Sequence, residues 1–299
     1  MRKTTDAFII NPKLLRRLRL PRPARGGDKE ERGRVLVVGG GPETPGAVIL
    51  AATAALRAGA GKIQVATGRS NAPVVAASLP EARVFALPES RSGSLTKAAA
   101  AALESHLAEA QAVCIGPGLI EDESVARFTE AALAHCRDAA VVMDAGALCC
   151  LAGGRRLPHD FEGGFVITPN ADELADIFGE DKDKLMRDPA ASALRAAREL
   201  RSVVALKGRA TFIASPGGKL YVNRAGNVGL ATSGSGDVLA GVIAGLAARG
   251  SEALTAAVWG VYLHARAGER LAERVGPLGY LARELPAEIP ALMSELGGS

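Results

Sequence analysis

The sequence predicts an α/β protein: a doubly wound, mostly parallel sheet with helices on both faces and an antiparallel hairpin at one edge. Short β-branched runs alternate with Ala/Leu-rich stretches of helical spacing, a repeated βαβ pattern in which crossover helices join parallel strands. Composition agrees. With 48% hydrophobic, 23% charged and only 4% aromatic residues, the core must be built from Ala, Val, Leu and Ile between closely packed elements. Late in the chain, two short strands flank a Pro-Gly-Gly turn and only helical pattern follows.

In chain order, Met1 to Arg34 holds eleven Lys/Arg against four Asp/Glu, a local +7, so the rest of this +4 chain carries −3. The organisation expected is a solvated basic lead-in over 1–27 and one domain over 28–299. A mildly acidic folded part offers no basic face to nucleic acid. The lead-in has no continuous apolar region and is interrupted by Asp6, Asp28, Glu30 and Glu31, which argues against a targeting peptide. No apolar run reaches the roughly 20 residues of a membrane helix. Cys114, Cys136, Cys149 and Cys150 lack metal-ligand spacing and read as small buried hydrophobes, which fits a reducing cytoplasm.

Buried strands are expected at Val35 to Val38, Ile63 to Thr67, Val113 to Ile115, Val141 to Asp144, Phe165 to Ile167 and Val203 to Lys207. Helices are expected at Gly46 to Ala58, Thr96 to Ala110, Ser124 to Cys136, Asp172 to Phe178 and Ala190 to Arg201. The hairpin pairs Thr211 to Ala214 with Leu220 to Asn223 across Pro216-Gly217-Gly218, and helices over Val238 to Ala248, Ala253 to Val275 and Leu281 to Leu296 cover the finished sheet.

The strongest chemical signal is Thr232-Ser233-Gly234-Ser235-Gly236-Asp237, small residues leading straight into a helix. Glycines allow close backbone approach, and successive N–H groups at a helix N-terminus form an anion hole from Gly234, Ser235 and Gly236. Asp237 beside such a hole either takes a proton from an attacking hydroxyl or caps the helix. Gly39-Gly40-Gly41, Gly116-Pro117-Gly118 and Asp144-Ala145-Gly146 each follow a strand, where open α/β sheets bind ligands, or else mark ordinary tight turns. The first lacks the G-x-G-x-x-G pattern of a dinucleotide fold. Lys207-Gly208-Arg209-Ala210-Thr211 places a cation, a glycine and a hydroxyl at a strand end, lining a nucleotide or forming a solvated turn. Asp172 and Glu173 suit a helix dipole without any ligand. Trp259, Tyr262 and His264, at helical spacing, read as packing.

Taken together and in order, Gly33 to Gly40, Pro45-Gly46-Ala47, Arg57 to Gly61, Ile115 to Leu119, Asp144 to Leu148, Thr168-Pro169, Leu206-Lys207-Gly208, Thr232 to Leu239 and Tyr262-Leu263-His264 resemble the ribokinase-like superfamily. Within it they resemble the ADP-dependent NAD(P)H-hydrate dehydratases. The resemblance implies a nucleotide held by Lys207, Gly208, Arg209, Ala210, Thr211 and Gly236, and a hydrated nicotinamide ring held by Ala47, Gly118, Asn170 and Asp237. It departs at Asn170-Ala171-Asp172-Glu173, where the family pattern is His-Pro-Gly-Glu. The implied reaction is dehydration of the S form of NADH or NADPH hydrate. Asp237 activates the ring hydroxyl toward the terminal phosphoryl of ADP, phosphate is eliminated, and NAD(P)H, AMP and phosphate result. Mg²⁺ accompanies the nucleotide, no protein residue is assigned to a metal, and ATP stays open as donor. A homotetramer and a separate epimerase are the implied partners. A kinase of the same fold acting on a vitamin-type alcohol is the first rival, and a nucleotide-binding regulator without turnover the second.

Overall fold

Along Arg34–Val38, Val35 and Val37 enter one apolar cluster, Leu36 and Val38 another, and all four are buried. A strand apolar on both faces needs cover on both, which sets the three-layer architecture of the computed structural model. The structure describes residues 7–22, 26, 28–136, 138–155, 161 and 164–297.

The chain enters through strand β1 (Phe8–Ile9) and the short helix α1 (Pro12–Leu15). Strand and helix then alternate through β2 (Arg34–Val38), α2 (Gly46–Arg57), β3 (Lys62–Gly68), α3 (Ala72–Ser78), β4 (Arg83–Leu87), α4 (Lys97–Glu109), β5 (Ala112–Ile115), α5 (Glu123–Leu133) and β6 (Ala140–Met143). A kinked 3-10 segment (Ala145–Gly154) leads to β7 (Phe165–Ile167), followed by α6 (Ala171–Phe178), α7 (Lys182–Met186), α8 (Pro189–Glu199) and β8 (Val203–Leu206). The hairpin of β9 (Thr211–Ala214) and β10 (Leu220–Asn223) precedes α9 (Ser235–Ala248), α10 (Ala253–Arg274) and α11 (Leu285–Leu296).

These strands form one sheet in the order β1-β10-β9-β8-β7-β6-β5-β2-β3-β4. Every neighbouring pair is parallel except β9, which runs antiparallel to both β8 and β10. The doubly wound, mostly parallel sheet with helices on both faces is therefore as expected. Helix α9 packs backbone to backbone on α2, because a Cβ at Gly241 would lie 2.1 Å from the Ala51 carbonyl oxygen. That close approach fixes the helix whose first turn carries Asp237.

One expectation needs correction. The segment before residue 28 is not a solvated lead-in over its described part. Ile10, Leu15 and Leu20 are buried in the core, the Trp259 indole N–H donates to the Leu18 carbonyl at 2.5 Å, and Arg249 donates to the Pro21 carbonyl at 3.1 Å. Its cations hid an apolar spacing that α10 and the sheet bury. Residues 1–6 lie outside the described residues. The antiparallel hairpin lies toward one edge as expected, and the two-residue β1 adds a parallel strand beyond β10. At the opposite edge β4 forms a strand the sequence did not announce, half-exposed and with Phe85 stacked on His106 at 4.1 Å.

Cys114, Cys136 and Cys150 are buried and Cys149 partly so, and none is in a disulfide. Burial pushes the thiols of Cys136 and Cys150 up to about 12 and that of Cys149 to about 11, so they behave as apolar filler. Among the described residues, no helix is long and apolar enough to cross a membrane.

Candidate active site

Strand order reverses between β2 and β5, so the loops leaving their carboxyl ends diverge and open a crevice. The loops are clasped together below it: the Gly40 amide donates to the Pro117 carbonyl at 2.8 Å, and the Gly41 amide to the Gly118 carbonyl at 2.6 Å. Thr44 donates its hydroxyl to the same Gly118 carbonyl at 2.9 Å. Gly118 has φ 67°, and a Cβ there would stand 2.7 Å from the Ala47 methyl, so only glycine lets the loop rest on the start of α2. Ala47 and Gly118 are thus side by side at the switch point.

A second group forms where β6, β7 and β8 end. Asp144, almost fully buried, accepts at Oδ1 from Lys207 Nζ at 2.8 Å and from Thr168 Oγ1 at 2.7 Å. Glu173 Oε2 lies 3.6 Å from the same ammonium and accepts from the Asn170 amide at 2.6 Å. Asn170 caps α6 in return, its Oδ1 accepting from the amides of Asp172 and Glu173. Burial alone would pull the Lys207 pKa down, but the Asp144 and Glu173 carboxylates outweigh it and hold the ammonium above its ordinary range. Burial raises Glu173 and Asp144 adds to the rise, with Lys207 opposing. The next residue after Asp144, Ala145, has φ 47°, a left-handed conformation uncommon for a residue with a side chain.

Helix α9 joins the two groups. Gly234, at φ 86°, packs on Leu50 of α2, where a Cβ would meet Cδ1 at 2.4 Å. Two residues on, a Cβ at Gly236 would lie 3.5 Å from Asp144 Oδ2 and 3.6 Å from Lys207 Nζ. The amides of Gly234, Gly236 and Asp237 find no acceptor among the described residues, whereas that of Ser235 donates to the Thr232 carbonyl at 3.2 Å. Of the three residues expected to form the anion hole, Gly234 and Gly236 keep free amides, the Ser235 amide is spent in the turn, and the Asp237 amide is free beside them. Asp237 itself is pushed from the ordinary 3.8 to about 7, first by burial, then by Asp144, against the pull of Lys207. A carboxylate poised there exchanges protons readily near neutral pH.

Beside this helix end lies a cavity of about 960 Å³. Asn170, Lys207, Gly208, Arg209, Thr211 and Gly236 line it together, as does Ser235. Ala47, Gly118, Ala210, Gly234 and Asp237 do not line it. Asn170 therefore falls with the Lys207 group rather than with Ala47 and Gly118. Sequence reasoning named Asp144 only within a strand-end turn and gave it no role, took Glu173 as no more than a dipole partner, and took His264, which lines the cavity, as packing. An acid at the end of an all-apolar strand was the available signal for Asp144. The loop from Asn223 to Asn227, which forms one wall, carried no comparable signal.

A doubly wound sheet whose central crevice holds a free-amide helix turn, a raised-pKa carboxylate on that turn and a half-buried lysine beside it defines a ribokinase-like α/β protein with a place for an anionic group. The family model described as NAD(P)H-hydrate dehydratase matches residues 35–291. The chain belongs to that family. It is 49% identical over 278 residues to the ADP-dependent (S)-NAD(P)H-hydrate dehydratase of Xanthomonas campestris pv. campestris, covering 92% of this chain and 93% of the relative. It is 41% identical over 280 residues to the bifunctional NAD(P)H-hydrate repair enzyme of Moorella thermoacetica, there spanning 94% of this chain and only 53% of the relative. Among solved structures, the ADP/ATP-dependent NAD(P)H-hydrate dehydratase from Bacillus subtilis, co-crystallized with ATP/Mg²⁺, superposes with a TM-score of 0.82 at 30% identity, covering 98% of this chain and all of that one.

Proposed function

We propose that this protein is a hydro-lyase that removes water from the S form of NADH hydrate and NADPH hydrate at the expense of ADP, repairing the nicotinamide nucleotide. The observation that carries the reading is Asp237, a carboxyl raised to about 7 at the foot of free helix amides. The hydrated ring rests on Ala47 and Gly118, and the nucleotide lies in the cavity along Lys207, Gly208, Arg209 and Thr211, with its terminal phosphoryl at Gly236. Asn170 contacts whichever ligand reaches the rim between the two.

Asp237 takes the proton of the ring hydroxyl as its oxygen bonds to the terminal phosphorus and the bond to the bridging oxygen breaks, releasing AMP from ADP. The Gly234, Gly236 and Asp237 amides hold the equatorial oxygens, and the Lys207 ammonium beside Gly236 offsets their charge. The ring nitrogen lone pair then expels phosphate, a far better leaving group than hydroxide. Loss of a ring proton restores the double bond. The described residues contain no cluster of three or more His, Cys, Asp or Glu fit to hold a metal. Mg²⁺ would accompany the nucleotide phosphates and offset their charge, and no step is assigned to it.

ADP is the preferred donor by likeness to the 49% identical relative, with ATP able to present the same terminal phosphoryl. The bifunctional relatives run to nearly twice the length matched here, and a separate epimerase supplies the S form to this chain. Assembly as a homotetramer in the cytoplasm completes the reading, with β1 and α1 packed into the same catalytic domain as the chain from residue 28 onward. Phosphorus NMR of a reaction with NADH hydrate and ADP tests it. AMP and inorganic phosphate should appear in equal amounts, and a persisting phosphorylated alcohol would mark a kinase instead.

A further inference from the structure

His264 Nε2 stands 3.0 Å from the Ser235 carbonyl oxygen and 3.0 Å from Ser235 Oγ. A carbonyl oxygen can only accept, so its contact with Nε2 is a hydrogen bond only in the Nε2–H tautomer, in which the hydroxyl shares that N–H as a second acceptor. The hydroxyl proton cannot then go to His264, and no other acceptor for it exists among the described residues. Both residues are buried and both line the cavity next to Gly236. A buried unpaired donor is costly unless a ligand accepts from it. Burial, opposed by the Ser235 carbonyl and reinforced by the charge of Lys207, pushes His264 down to about 4, so the ring is neutral and has one N–H to give.

We infer that Ser235 contributes its hydroxyl, oriented by His264, as a further donor to the phosphoryl group bound at the start of α9. The amide of Ser235 is committed to Thr232, so the side chain replaces what the backbone cannot give. Ser235 is then a residue that touches the transferring group, and His264 is a positioning residue that acts through it. The inference rests on the phosphoryl-transfer reading above, and its tests separate the two.

Nitrogen-15 NMR of the full-length protein labelled at histidine should show His264 as the Nε2–H tautomer, the signal being identified by its loss in His264→Gln. The Nδ1–H tautomer would overturn the inference. With NADH hydrate and ADP, Ser235→Ala should lower kcat on the order of tenfold to a hundredfold with little change in KM, the loss of one donor to the transferring group. His264→Leu should cost a similar factor in the parent, but less than about threefold when Ser235 is already Ala, and His264→Gln should recover most of the rate. Independent, multiplying losses would instead give His264 a purely structural role. Should the unmutated protein not turn over the hydrate, the functional reading falls alone. Inorganic phosphate titrated into the parent and Ser235→Ala then decides: weaker binding by the variant supports the hydroxyl contact, and equal binding refutes it.

Discussion

Asp237→Asn should abolish turnover and yet stabilise the fold, by an amount that grows with pH. An acid whose folded pKa is raised binds its proton more tightly in the folded state than in the unfolded state. Stability is therefore intact below the unfolded value of 3.8 and is lost as pH rises through about 7. Each tenfold in proton affinity is worth about 1.4 kcal/mol, so ionised Asp237 costs the fold roughly 4 kcal/mol at pH 8 and under about 2 kcal/mol at pH 5. The neutral, near-isosteric Asn removes that cost. For 299 residues at about 2.1 cal/mol/K each, unfolding entropy is near 0.6 kcal/mol/K, so Tm should rise by roughly 6 °C at pH 8 and by about half that or less at pH 5. Calorimetry of parent and variant at both pH values measures the difference. A rise of equal size at both, or a fall at pH 8, would show that Asp237 is not the burdened carboxylate described.

The same electrostatics predict an acid limb near pH 7 in kcat/KM, because Asp237 must lose its proton to act as base; Asp144→Asn removes the neighbouring negative charge and should move that limb to lower pH, which a pH–rate profile reads directly. Leu15→Ala should cost about 2–5 kcal/mol in urea unfolding, since Leu15 is fully buried; a change within about 0.5 kcal/mol would return the segment to the role of a solvated lead-in. Gly241→Ala should cost at least about 1–3 kcal/mol and lower activity as well, because the added methyl pushes α9 off the Ala51 carbonyl and shifts the turn that carries Asp237.

Most of the central sheet could be read from the sequence because β2, β5, β6, β7 and β8 are buried on both faces and appear as continuous β-branched runs between helical spacings. The edges could not. Strand β1 has two residues and β4 is half-exposed, and both owe their place to a neighbour rather than to their own pattern. At the site, the turn at Gly234 to Asp237 stood out because small residues run straight into a helix, although an acid there also suits a helix cap. What stayed hidden depends on distance across the fold. The Asp144 to Lys207 pair is separated by 63 residues and the Ser235 to His264 pair by 29, so no local spacing announces either. The direction of the Ser235 amide, which removes it from the anion hole, is likewise a matter of turn geometry.

In the proposed reaction a nucleotide phosphoryl group activates the ring hydroxyl as Asp237 takes its proton. The direct measurement is nicotinamide absorbance in a mixture of purified protein, NADH hydrate, Mg²⁺ and ADP, run beside Asp237→Asn. The NADH signal should recover with one nucleotide consumed per ring restored, and it should not recover with the variant although the variant still binds ADP. Recovery without nucleotide consumption, or undiminished recovery by Asp237→Asn, would contradict the proposed reaction.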